Sequence, residues 1–194
     1  MNDFQQNINN IRKKLEKDLK ESRYLHTLGV AYTAASLAMR YGVDMQKALL
    51  AGYLHDCAKC LSEREMRSLI KEGGLYTTVY EDKNPKLLHA KAGAVLAEKG
   101  YGIKDREIQH AIMVHTTGAP GMSMLDEIIF TADYIEPGRD KAAGLPALRE
   151  EAFSSLHSCT LHILEDTVNY LRSSGSTIDP ATSETYSYYK KLYG

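Results

Sequence analysis

The chain has 194 residues, 43% hydrophobic and 25% charged, with 24 basic against 25 acidic side chains and a formal net charge of -1. That is enough chain to bury its own core, so one domain over 1–194 is expected. The near-neutral balance excludes the positive field of a general nucleic-acid binder, and no apolar run approaches the ~20 residues that span a bilayer. The first twenty residues carry Lys13, Lys14, Lys17 and Lys20 among Asn and Gln with no apolar block, so no signal peptide is expected. Three cysteines, an odd count, fit no disulfide framework and point to a reducing, cytoplasmic setting.

In chain order, residues 3–20 read as a polar, amphipathic opening segment. Ser22 is the expected cap of a helix to about Tyr41, with Leu25, Leu28, Ala35, Leu37 and Met39 among its apolar positions and Gly42 as a stop. Asp44 caps a helix over 45–58, whose Ala48, Leu49, Ala51, Gly52 and Leu54 leave little polar surface, so it should be central and buried. Ser62 and Glu65 form a capping-box pattern for a short helix to Lys71, which Gly73-Gly74 ends. Residues 75–85 read as a loop closed by Asn84-Pro85, and 86–99 as a helix ended by Gly100. Helices over 105–114 and 123–136 flank the Gly/Pro-rich TTGAPGM (116–122), and Pro137-Gly138 breaks the second. A long helix over 145–172, a loop over 173–180 and a last Tyr-rich helix complete an all-α fold. The core around the site should occupy about 20–172.

The most informative feature is His55-Asp56, inside the apolar run GYLHDCAKC (52–60). Burying an imidazole beside a carboxylate is costly unless both are hydrogen-bonded or bound to a cation. His26, His89, His115 and Asp133 follow on separate helical segments, so four histidines and two aspartates are available. Any one of these histidines alone is more often a hydrogen-bonded structural residue, the class expected for His110, His157 and His162. The six together suffice for two divalent ions, held by ligands pointing inward from facing helices. His26, His55, Asp56 and Asp133 would serve one ion, and His89 and His115 would supply nitrogens to the other. Imidazole with carboxylate suits iron, manganese, zinc or cobalt better than calcium or magnesium. Cys57 and Cys60 form a C-x-x-C pair without the strand-helix surroundings of a redox motif, and Cys159 is alone, so packed thiols are expected.

Three cations fit a phosphate substrate. Lys59 lies four residues beyond His55 and would share its helix face; Arg23 precedes His26 by three; Arg139 follows the Pro-Gly break after Asp133. Thr116 and Gly118 can offer a hydroxyl and a backbone amide. Asp56 and Lys59 are the expected catalytic pair, Lys59 giving electrostatic stabilisation. Lys59 and Arg139 are expected to grip the same half of a polyphosphate.

The segments RYLHTLGV (23–30), HDCAK (55–59), LLHAKAGA (87–94), HTTG (115–118) and ADYIEPGR (132–139) resemble the HD-domain phosphohydrolases, and within them the YqeK-type symmetrical bis(5′-nucleosyl)-tetraphosphatases. The resemblance implies the ligand set His26, His55, Asp56, His89, His115 and Asp133, a di-iron centre, and hydrolysis of diadenosine tetraphosphate to two ADP. A dinucleoside polyphosphate is then the expected partner, with no nucleic acid or membrane; a homodimer is left open. The alternatives are another HD-type nucleotidase or cyclic-nucleotide phosphodiesterase, or a non-catalytic nucleotide sensor.

Overall fold

The computed structural model describes residues 3–140, 142 and 144–194, and among these residues the regular structure is all helical, with no strand. Eleven α-helices follow in order: α1 Asp3–Asp18, α2 Glu21–Tyr41, α3 Met45–Leu54, α4 Glu63–Glu72, α5 Val79–Lys83, α6 Leu88–Tyr101, α7 Arg106–Val114, α8 Met124–Ile135, α9 Leu145–Ser154, α10 Leu156–Ser173 and α11 Pro180–Tyr193. A 3₁₀ turn over Pro85–Leu87 leads into α6.

Side-chain caps set many of the starts. Asp44, Asp105 and Asp179 accept backbone amides at the heads of α3, α7 and α11, and Ser62, Thr78 and Ser123 close capping boxes at α4, α5 and α8. At α2 the cap position falls to Lys20 rather than Ser22, and no side chain caps that helix.

The centre is built from α2, α3, α7 and α8: α2 and α7 each pack on both α3 and α8, which also pack on each other. Small residues let α2 and α3 approach closely. Ala31, Ala34, Ala48 and Ala51 are fully buried, and a Cβ on Gly52 would lie 2.6 Å from the Ala31 Cα. The buried stripe of α2 runs through Thr27, Val30, Ala34, Leu37 and Ala38, so Leu25 and Met39, expected inside, are exposed instead. Outer helices complete the body: α6 packs on α7 and α4, and α10 packs on α8, α9 and α11. No described helix is long and apolar enough to cross a membrane.

Other boundaries moved. The expected loop over 75–85 contains α5, started by the Thr78–Glu81 capping box. Helix α6 runs through Gly100, because the left-handed turn (φ 72°) falls at Gly102. The expected helix over 145–172 is two helices, broken at Ser155, whose extended backbone lets α9 lie against α2 while α10 turns onto α11. Most consequential is α3, which stops at Leu54 rather than Ala58. Residues 55–61 continue as tightened turns, with Cys57 donating to the Leu54 carbonyl, Lys59 to Asp56 and Leu61 to Ala58. Cys57 and Cys159 are buried and Cys60 exposed, all three free.

Candidate metal centre

His55 and Asp56 emerge from the end of α3 into the middle of the helix cluster, 0% and 2% exposed. His26 comes from α2, His89 from α6, His115 from the end of α7 and Asp133 from α8. Residues spread over four other helices therefore meet around one carboxylate. Three groupings bring ligand atoms within 4.8 Å of one another: His26, His55 and Asp56; His55, His115 and Asp133; Asp56, His89 and His115.

The tautomers are legible from the hydrogen bonds. Nδ1 of His55 lies 2.7 Å from the Gly52 carbonyl, and Nδ1 of His115 lies 2.7 Å from the Ile112 carbonyl. Nδ1 of His89 meets the Lys86 carbonyl, and Nδ1 of His26 lies 3.0 Å from a Glu136 carboxylate oxygen. Carbonyls and carboxylates only accept, so each Nδ1 carries a proton. In the neutral ring each Nε2 then presents a lone pair inward. Two such pairs face each other, His26 with His55 at 3.3 Å and His89 with His115 at 3.2 Å. Opposed lone pairs repel unless a cation lies among them.

Asp56 is shared between the two halves. Its Oδ2 lies 3.5 Å from His55 Nε2 and 4.0 Å from His26 Nε2, while Oδ1 lies 3.1 Å from His89 Nε2 and 3.6 Å from His115 Nε2. Asp133 Oδ1 closes the first half, 3.0 Å from His26 and 3.9 Å from His55. Oδ1 of Asp56 is buried without a hydrogen-bond donor, the condition of an oxygen that expects a metal. The residues fit a divalent cation site.

Protonation agrees. Burial alone would raise the Asp56 carboxyl; positive charge on the imidazoles around it, His55 foremost, holds it well below the usual range, and where those rings are neutral a bound cation would take over that role. Burial works against Asp133 too, and hydrogen bonding and positive charge from His26, then His55, His115 and Arg139, outweigh it; of these only Arg139 keeps its charge when the rings are neutral, so a bound cation would have to supply the rest. Burial pushes His89 below its ordinary value more than Asp56 raises it, which keeps that ring neutral. Ionised carboxylates and a neutral imidazole are the forms that ligate metal.

The cations divide. Arg23 donates to Asp56 Oδ2 at 2.7 Å, and Arg139 donates to Asp133 Oδ1 at 2.7 Å, both on the His26 flank. Lys59 instead reaches His89 Nε2 at 2.9 Å and Asp56 Oδ1 at 3.5 Å. Because α3 ends before His55, Lys59 does not share that residue's helix face, and it and Arg139 lie on opposite flanks rather than gripping one half together. The Thr116 hydroxyl stands at the centre, 3.1 Å from His115 Nε2 and 3.3 Å from His89 Nε2. Gly118 differs from expectation: its amide donates to the Val114 carbonyl, so that N–H is not free for phosphate. Its left-handed backbone (φ 66°) passes close under α11, where a Cβ would lie 2.7 Å from Thr185 Cγ2. The other three histidines pair with carboxylates elsewhere: His110 with Asp126, His157 with Glu127 and His162 with Glu151.

Sequence reasoning missed three supporting residues. Glu136 is 3% exposed and orients His26. Gly29 makes room for it, since a Cβ there would lie 2.4 Å from Glu136 Oε2. Arg149 donates to the Ile135, Glu136 and Arg139 carbonyls, fixing the turn after α8. Gly29 and Glu136 stand inside the motifs RYLHTLGV and ADYIEPGR; nothing local marked Arg149. Outer partners of ligating histidines commonly govern ~10–100-fold in metal affinity. Glu136→Gln is therefore expected to weaken metal binding by that order while the helices stay folded. Competitive titration against a metal-sensitive dye measures it, and unchanged affinity would mean that Glu136 does not set the His26 ring.

Comparison with known proteins places this geometry. A model of the HD domain matches residues 23–138. The chain is similar to a protein of Halalkalibacterium halodurans described as bis(5′-nucleosyl)-tetraphosphatase, symmetrical, with 43% identity over 170 residues, 87% of this chain and 89% of that one. A Bacillus subtilis protein of the same description is 37% identical over 174 residues, covering 90% and 92%. A crystal structure described as a predicted HD superfamily hydrolase involved in NAD metabolism, from Clostridium acetobutylicum, matches with TM-score 0.91 at 38% identity, over 95% of this chain and 97% of that one.

Proposed function

The chain belongs to the HD-domain family, and from that premise we propose that it hydrolyses dinucleoside tetraphosphates symmetrically, diadenosine tetraphosphate giving two ADP. The observation that carries the reading is the convergence of four inward-facing imidazole nitrogens on one shared carboxylate, whose Oδ1 is buried without a hydrogen-bond donor. His26, His55, Asp133 and Asp56 Oδ2 would hold one divalent ion, and His89, His115 and Asp56 Oδ1 a second. Iron is the first choice, and manganese, zinc or cobalt also suits these ligands. Such a pair, when bound, brings the pKa of a coordinated water towards neutrality and offsets phosphate charge.

The side chains supply the rest. Arg23 and Arg139 meet phosphate oxygens on the His26 flank, leaving their present carboxylate partners to the metals. Lys59 faces the other flank, where the second nucleoside diphosphate departs. Water gives up a proton to solvent as it adds to the phosphorus held on the arginine side, the bridging P–O bond breaks, and the terminal phosphate of the leaving diphosphate takes up the negative charge beside the Lys59 ammonium. Cations on both flanks centre the tetraphosphate, so the middle bridge is the one that breaks. Thr116 orients a phosphate oxygen or the attacking water.

Hydrolysis in heavy-oxygen water by metal-loaded enzyme tests this. Two ADP, one carrying the label, is the expected result; ATP and AMP as main products would refute it.

A further inference from the structure

Beside the His89 half lies a cavity of about 310 Å³ lined by Lys59, Leu61, Met66, Pro85, Lys86 and His89. Its volume is at the small end of ligand pockets, right for one nucleoside half and too small for a dinucleotide. It borders the centre, because His89 and Lys59 belong to both. One wall is apolar, from Leu61, Met66 and Pro85; the rim carries two ammonium groups.

Lys86 is the residue that the function has not yet used. Its carbonyl holds the His89 ring, so its backbone is fixed relative to the centre, on the rigid Pro85–Leu87 turn. Its side chain is exposed, and among the described residues its ammonium makes no ion pair, whereas Lys91 on the next helix is paired with Glu81. Lys59 alone is a weak counter-ion for a diphosphate, since it already lies 3.5 Å from Asp56. A departing nucleoside diphosphate carries charge on both phosphates and gains more as the bridge breaks. A second cation within reach of the same cavity meets that need.

We propose that this cavity is the subsite for the leaving nucleoside diphosphate, with Lys86 binding its phosphates alongside Lys59 and the Leu61–Met66–Pro85 wall receiving the nucleoside. The inference rests on the symmetrical cleavage proposed above and deepens it by naming where the second half binds. Lys86 is then a specificity-determining residue, favouring a substrate with two nucleoside ends.

The test uses metal-loaded Lys86→Glu, Lys86→Ala and, as a charge-matched control, Lys83→Glu, an exposed lysine outside the cavity. Diadenosine tetraphosphate turnover, metal content and the stoichiometry of ADP binding by calorimetry are measured for each. Wild type is expected to bind two ADP. Lys86→Glu should lose one of them and raise KM about tenfold, the worth of one charge-assisted contact. Lys86→Ala should shift KM in the same direction by less, with metal content unchanged in both; Lys83→Glu should match wild type. Two ADP and an unchanged KM in Lys86→Glu would overturn the subsite, as would a wild type that binds fewer than two ADP. If wild type binds two ADP and loses one on Lys86→Glu yet cuts the tetraphosphate elsewhere, the subsite stands and the cleavage reading falls.

Discussion

Asp56→Ala is expected to empty both halves of the centre and abolish turnover, because its two oxygens between them face all four inward imidazoles. The loss of metal affinity should exceed the ~10–100-fold typical of an outer partner such as Glu136. His55→Ala should be nearly as severe, since His55 Nε2 lies near His26, Asp56 and Asp133 together. Neither change should unfold the chain: the hydrophobic core is extensive, and unlike a small zinc finger it does not need metal to form. Loss of the Asp56 partner frees Arg23, whose side chain is 32% exposed and can turn to water, so the metal-free protein should change in stability by only about 1 kcal/mol. Elemental analysis, turnover and circular dichroism of each variant check this; full metal and wild-type rate in Asp56→Ala would dismiss the assignment. His110→Ala, whose half-exposed ring pairs with Asp126 away from the centre, should keep both.

Gly52→Ala is expected to damage fold and site at once. The new methyl would lie 2.6 Å from the Ala31 Cα and 3.1 Å from its nitrogen, and backbone inside a helix cannot rotate aside. Overpacking of this kind costs about 1–3 kcal/mol, and an incompressible contact belongs at the upper end; the helix-propensity gain of alanine over glycine returns about 1 kcal/mol. A net loss of about 2 kcal/mol corresponds to a Tm lower by roughly 4–8 °C in a chain of this size. The Gly52 carbonyl also holds the His55 ring, so forcing α3 away from α2 should weaken metal binding as well. Thermal melts with and without metal measure both effects. An unchanged Tm would show that the helices can separate freely at this point.

The sequence was most legible where signals are local. Asp44 and Ser62 cap as their chemistry suggests, since a short acceptor side chain before a helix satisfies free amides locally; Asp105 and Ser123, read as the first residues of their helices, cap in the same way. The Ser155 break had no such signal: no glycine or proline marks it, and it follows from α9 and α10 packing on different partners. Leu25 and Met39 misled because a helix of twenty-one residues offers more apolar side chains than its one buried stripe accepts.

For the site, the types and spacing of residues pointed by themselves to an all-helical protein with six candidate nitrogen and oxygen ligands, because so many imidazoles and carboxylates in apolar helical segments are costly without a cation. Only the tertiary structure decided how those ligands divide. That Asp56 serves both halves, that Lys59 faces Arg139 across it, and that Gly118 supports α11 instead of phosphate all depend on where α3 stops and how α6, α7 and α8 cross it. Helical periodicity fixes a side chain's direction only relative to its own axis. The angle between axes is set by which small residues let two helices touch, and no single segment carries that information.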